Sequence, residues 1–175
     1  MNMKAQTMAR TALFTAIIAV LSQVSVPMPS GVPITLQTFA IALAGYCLGA
    51  KYGTAATVVY IALGAVGVPV FTGFTAGFSR LFGVTGGFIW GFIPMAALCG
   101  LCHGRRGMRA YLPGIAGVVV CHLLGAAQYA VLAQISFVRA LLLVSLPYIA
   151  KDLLMLLPAR AADAALGRAM GTARV

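Results

Sequence analysis

The sequence predicts an all-α integral membrane protein of six transmembrane helices, with a Gly-rich outward loop between helices 3 and 4. Three observations predict it. Hydrophobic residues make up 62% of the 175 and charged residues 8%, where a soluble domain carries about 25%. A soluble fold could not cover its surface with so few charges, so lipid must do the covering. The apolar residues also come in long runs, separated by short segments dense in Gly, Pro and Thr. One segment, Gly64 to Gly91, holds eight of the twenty glycines and is too irregular to be a spanning helix. Irregular backbone at membrane depth is tolerated where it is buried in protein or lines a cavity. At about 20 apolar residues per span, the chain is long enough for roughly six helices in a single membrane domain, residues 1–175.

The expected helices run at about 9–26, 34–50, 52–68, 86–103, 112–135 and 147–168. The first exceeds the apolar core of a signal peptide and no A-x-A-like site follows it, so it reads as a retained helix. Pro27, Pro29 and Pro33 end it and form a loop. Gly49 to Gly53 makes a tight turn around Lys51. Pro69 to Thr85 is the long Gly/Thr/Phe loop. His103 to Tyr111 is a basic turn, Ser136 to Leu146 is a connection, and Pro147 suits a first helical turn.

Charge orients this arrangement. Lys4, Arg10, Lys51, Arg105, Arg106, Arg109, Arg160, Arg168 and Arg174 fall on one side. Arg80 and Arg139 fall on the other, and Lys151 lies within the last helix. Basic residues mark the cytoplasmic side, so both termini are expected inside and the Gly-rich loop outside. The net charge of +10 therefore implies no nucleic acid, since no Lys/Arg cluster interleaves with aromatics. Ala9, Ala12, Ala16 and Ala19 recur at spacings of three and four. They form a small-residue face that lets helices approach closely, either within the bundle or as a docking face for another membrane subunit.

Asp152 is the most telling residue, one of two acids in the chain. An acid inside a membrane segment is costly and marks function. As a carboxylate it only accepts hydrogen bonds, which suits a ligand with N–H groups. Lys151 beside it either neutralises it or attracts a ligand carboxylate, and Tyr148 lies one turn earlier on the same face. Arg80, between Phe78 and Phe82, is a headgroup-facing residue or a carboxylate partner. Thr35 and Gln37 open the second helix beside that face. His122 reads as a hydrogen-bonded bundle residue, the alternatives being a ligand contact or a proton relay, and Asp163 as a local pair with Arg160. Cys99-Gly-Leu-Cys102-His103 matches the c-type haem pattern, but Arg105 and Arg106 place it on the inner side, where that attachment is not expected. Cys47, Cys99, Cys102 and Cys121 read as small buried hydrophobes. No phosphate-binding loop, nucleophile elbow or metalloprotease motif is present, so no enzyme activity, metal or cofactor is expected, and transport could not be powered by ATP from this chain alone.

The segments VPMPSGVPITLQTF, LGAKYGTAATVVYIALGAVGVPVF and FGVTGGFIWGF, chained between Val26 and Phe92, resemble the BioY family, the biotin-specific S components of energy-coupling factor (ECF) transporters. The likeness extends more loosely through helix one and PYIAKDLLM. Where the family reads P-F-x-x-G-D-L-L-K, this chain has Lys151 at the glycine and Met155 at the lysine. GPTGGY becomes GVTGGF, with Val84 and Phe88 replacing proline and tyrosine. The resemblance implies a multi-pass protein of the bacterial cytoplasmic membrane that binds biotin as its transported ligand near the outer face. It also implies a membrane T component and two ATPase subunits as partners. The ureido N–H groups of biotin would meet Asp152, its carboxylate would meet a basic residue, and its apolar parts would meet Phe71, Thr72, Gly73 and Phe74. The alternatives are an S component for another small vitamin, a structural subunit without a ligand, or a redox protein using Cys99 and Cys102.

Overall fold

The computed structural model describes residues 3–105 and 111–169. Six α-helices form the body: α1 (Met3–Leu21), α2 (Gln37–Ala65), α3 (Gly86–Gly100), α4 (Leu112–Ala133), α5 (Phe137–Val144) and α6 (Leu146–Ala169). Two short strands, β1 (Ser25–Val26) and β2 (Ile34–Thr35), pair antiparallel and close the Pro-rich loop between α1 and α2. A 3-10 turn, Phe78–Phe82, interrupts the Gly-rich segment. α3 packs against both α2 and α4, α1 and α6 lie against α2, and α5 packs on α4.

Several boundaries differ from the sequence expectation. The second and third expected helices follow one another within α2 across a break at Gly49 (φ 77°, ψ 174°), the first residue of the expected turn. That left-handed conformation is open to glycine at no steric cost, so the chain folds back there without a loop. The connection expected at 136–146 contains α5, started by Ser136, whose hydroxyl accepts from the Arg139 amide at 3.4 Å. Arg139 therefore sits on a helix and not in a loop. α1 begins six residues earlier than expected and ends at Leu21, because Ser25 and Val26 are taken by the strand pair.

Among the described residues, α4 alone is long and apolar enough to cross a membrane. The bent pair Phe137–Val144 and Leu146–Arg168, turned by 54°, passes the same test together. α3 is apolar but shorter, α2 is broken, and α1 opens with the polar turn MKAQT.

Glycines set the helix spacing. A Cβ on Gly91 would lie 2.7 Å from the Cys121 Cα, so α3 and α4 touch backbone to backbone, as small-residue contacts in membrane bundles allow. The buried core between these layers holds Ile41, Tyr46, Tyr60, Met95, Val118 and Leu156. The α2 break packs on the end of α3, where the Gly49 region meets His103. The N-termini of α2, α3 and α6 and the two loops gather at the opposite end. Arg106, Arg109 and Arg174, counted above as inner-side charges, lie outside the described residues.

Candidate functional site

A cavity of about 580 Å³ opens at that opposite end. Its walls come from the Pro-rich loop, the N-terminal turn of α2, the 71–85 segment, α3, the middle of α4 and the first turns of α6. Such a volume lies within the range of about 300–1,000 Å³ typical of small-molecule sites.

Asp152 stands on the α6 wall, 7% exposed. His122 Nε2 lies 3.0 Å from its Oδ2, and the Lys151 ammonium lies against Oδ1 as an ion pair. Oδ1 is buried, and among the described residues the Lys151 ammonium is its ion-pair partner. Lys151 also donates to the Thr35 carbonyl at 2.9 Å. This contact ties the first turns of α6 to the strand that precedes α2.

The polar floor is largely satisfied internally. Gln37 Oε1 accepts from the Thr35 hydroxyl at 3.0 Å and from the Thr72 hydroxyl at 3.2 Å, while its Nε2 donates to the Tyr60 hydroxyl at 2.9 Å. Tyr148 donates to the Val32 carbonyl at 2.8 Å and meets the Ser30 hydroxyl at 2.7 Å. Tyr129 donates to the Ser30 carbonyl at 3.1 Å. The two tyrosines thus fasten the Pro-rich loop over the cavity.

Three further side chains fasten the 70–83 segment. Gln23 Nε2 donates to the Val70 carbonyl at 3.0 Å, and its Oε1 accepts from the Phe74 amide at 2.8 Å. Gln128 donates to the Leu81 and Gly83 carbonyls at 3.0 and 2.8 Å. Trp90 donates to the Leu81 carbonyl at 3.1 Å. These bonds supply partners that irregular backbone otherwise lacks. Phe71 is anchored within the segment. It is buried, with its ring edge-on to Tyr60 at 5.7 Å and its tip over Gly64.

Asp152, Lys151, Arg80, Tyr148, Phe71, Thr72, Gln37 and Thr35 all line this one cavity. Gly73 and Phe74 fall outside its lining. Both adopt positive φ (70° and 56°), and the turn leaves Phe74 72% exposed. Arg80 is exposed on the 3-10 turn, and among the described residues its guanidinium makes no hydrogen bond or ion pair. Of the small-residue face, Ala9, Ala12 and Ala16 are exposed and Ala19 is half-buried, while Phe14, Thr15 and Ile18 face the bundle. At the far end, Cys99 and Cys102 are buried, and the His103 Nδ1 meets the Tyr46 carbonyl at 2.6 Å. Arg160 pairs with Asp163 at 3.6 Å, as expected, and also lies over the Tyr46 ring at 5.0 Å.

His122, read from the sequence as a hydrogen-bonded bundle residue, does bond Asp152, and it also lines the cavity. The available signal was its place in an apolar helix, because a buried imidazole needs a partner and the chain has only two acids. The sequence reading missed Ser30, Gln23, Gln128 and Tyr129, whose roles depend on which loop reaches them.

Residues 1–172 match the model of the BioY family. A protein named "Probable biotin transporter BioY" from Pyrococcus horikoshii is 40% identical over 86% of this chain and 90% of its own length. "Biotin transporter BioY" from Thermotoga maritima is 42% identical over 66% of this chain and 69% of its own length. A crystal structure of the S-component for biotin from an ECF-type ABC transporter superposes with a TM-score of 0.79 at 27% identity, covering 93% of this chain and 94% of that one.

Proposed function

The chain belongs to the BioY family, and from that premise we propose that it is the biotin-capturing S component of an ECF-type importer in the cytoplasmic membrane, and not an enzyme. The observation that carries this reading is the buried Asp152 carboxylate, held between Lys151 and His122, in the wall of a cavity of about 580 Å³. A carboxylate has acceptor capacity beyond these two partners. The ureido head of biotin brings N–H groups to satisfy it. Phe71, Phe88 and Phe92 supply apolar walls for the ring and the valerate chain. Arg80, on the rim, is free to grip the carboxylate with both arms of its guanidinium.

The same reading covers the whole molecule. The chain is one domain of six spans, counting the two arms of α2 separately and α5–α6 as one bent span. The cavity faces outward and the Lys51 turn faces the cytoplasm. The exposed alanines of α1 form the face on which a membrane T component docks, and two ATPase subunits supply the energy. The test is calorimetric titration of the detergent-purified protein with biotin. Saturable one-to-one binding is expected, and its absence in folded protein would sink the reading.

A further inference from the structure

His122 is the buried polar group that biotin capture by Asp152 and Arg80 leaves unused. It stands near the middle of α4, 3% exposed, in the wall of the same cavity. Its Nε2 lies 3.0 Å from Asp152 Oδ2. Its other ring nitrogen, Nδ1, is buried without a hydrogen-bond partner. Phe88 stands edge-to-face to the ring at 5.7 Å, and the Ser145 hydroxyl donates to the His122 carbonyl at 3.3 Å. The imidazole is therefore held in place.

The neighbours decide where its proton sits. A carboxylate can only accept, so the hydrogen between the two groups is on Nε2. One ammonium, that of Lys151, already balances the one carboxylate. A neutral ring carries one acceptor nitrogen beside that balanced pair. With its proton on Nε2, the neutral ring presents Nδ1 as an acceptor. The wall thus carries a buried acceptor with no donor among the described residues, His122 Nδ1, on a side chain hydrogen-bonded to a carboxylate whose Oδ1 can accept beyond its Lys151 ion pair. A cyclic urea carries two N–H donors flanking its carbonyl.

We propose that His122 is a second ligand-binding residue, whose Nδ1 accepts one ureido N–H while Asp152 Oδ1 accepts the other. The inference rests on the biotin reading above and adds a contact to it. It also assigns His122 a second task, since its Nε2 holds Oδ2 and so fixes the direction in which Oδ1 faces Lys151 and the ligand. A ligand lacking the N–H that meets Nδ1 leaves that acceptor buried and unpaired, so His122 selects for the intact urea.

The test uses the full-length protein in detergent with imidazole-¹⁵N labelling. The chain has two histidines, so the spectrum holds two imidazoles, and a His103→Gln protein assigns them. Saturating biotin is expected to move the His122 Nδ1 resonance from the free-acceptor position toward the hydrogen-bonded one. A resonance that stays in place while calorimetry shows full occupancy overturns the proposal and leaves the biotin reading standing. No binding by the wild type sinks both.

A second arm uses His122→Gln, whose amide can still reach Asp152 as Nε2 does but leaves nothing at Nδ1. Its affinity for biotin should fall about tenfold, as loss of one hydrogen bond in a dry site allows. For the analogue in which ring oxygen replaces the ureido N–H that meets Nδ1, the variant and the wild type should bind alike. Wild-type affinity of the variant for biotin, or an equal loss for biotin and for both oxygen analogues, would mean that His122 acts only through Asp152.

Discussion

Lys151 and Asp152 are adjacent on α6, yet their surroundings separate their tasks. Lys151 spends its ammonium on the Thr35 carbonyl and on Asp152, so little of it is left for a ligand. Asp152, held by Lys151 and His122, keeps acceptor capacity for a ligand N–H. Replacing Asp152 with Asn removes the charged acceptor and strands the Lys151 ammonium. Because charged hydrogen bonds are worth about 1.5–3 kcal/mol, biotin affinity should fall at least about tenfold, which is about 1.4 kcal/mol. An unchanged dissociation constant in folded protein would remove Asp152 from the site. The carboxylate contact separates Arg80 from Lys151. Arg80→Ala should weaken biotin more than biotin amide, because only the acid needs the guanidinium. Lys151→Ala should weaken both alike, through Asp152 and the α6–β2 tie. Dissociation constants for both variants with both ligands decide it, and a carboxylate-selective loss in Lys151→Ala alone would exchange the roles.

At the scale of elements, the 70–83 segment behaves as part of the cavity wall. Gln23, Gln128 and Trp90 hold its backbone from α1's end, α4 and α3. Phe71 reaches back onto α2 because Gly64 leaves room for its ring. A Cβ there would lie 2.2 Å from the Phe71 Cζ. Gly64→Ala gains about 1 kcal/mol of helix propensity but forces the ring out of a filled site, and overpacking costs about 1–3 kcal/mol. A net loss of thermal stability and weaker biotin binding are expected, with partial recovery of both when Phe71→Leu is added. A Gly64→Ala protein as stable and as tight as wild type would show that the ring relocates freely. On α1, the exposed Ala12 and Ala16 point away from the cavity walls. Substituting Leu at both should spare biotin binding yet abolish copurification with a T component and energised uptake. Normal uptake would exclude this face as the docking surface.

For the whole molecule, the arrangement of poles makes a topological forecast. The cavity and the Phe78–Phe82 turn lie at one end, and the α2 break with Lys51 lies at the other. In a chain carrying Cys47→Ala, Phe78→Cys should react with a membrane-impermeant maleimide on intact cells. Lys51→Cys should react only after permeabilisation, and the opposite pattern would invert the orientation. Phe78 is 63% exposed, so low reactivity there would reflect sidedness and not burial.

What the sequence determines by itself is whatever one residue or one run can signal alone. A chain 62% hydrophobic and 8% charged must hide its polar backbone in helices, and the Gly/Pro segments mark where it cannot. Asp152 stands out for the same reason: an acid among apolar neighbours is costly wherever the helix goes. The family likeness, too, is carried by local landmarks in order. The tertiary structure decides everything that depends on partners. His122 and Asp152 lie 30 residues apart, so no local pattern joins them. Tyr148 and Ser30 are 118 apart, and Tyr148 turns out to hold a loop as well as line the cavity. The turn at Gly49 was legible because a glycine breaks the apolar run there, whereas α5 was misjudged because apolar runs give the extent of helical sequence but not the place where packing bends it. Hydrophobicity is a property of residues, whereas hydrogen-bond satisfaction in a dry interior is a property of pairs, and only the folded chain selects the pairs.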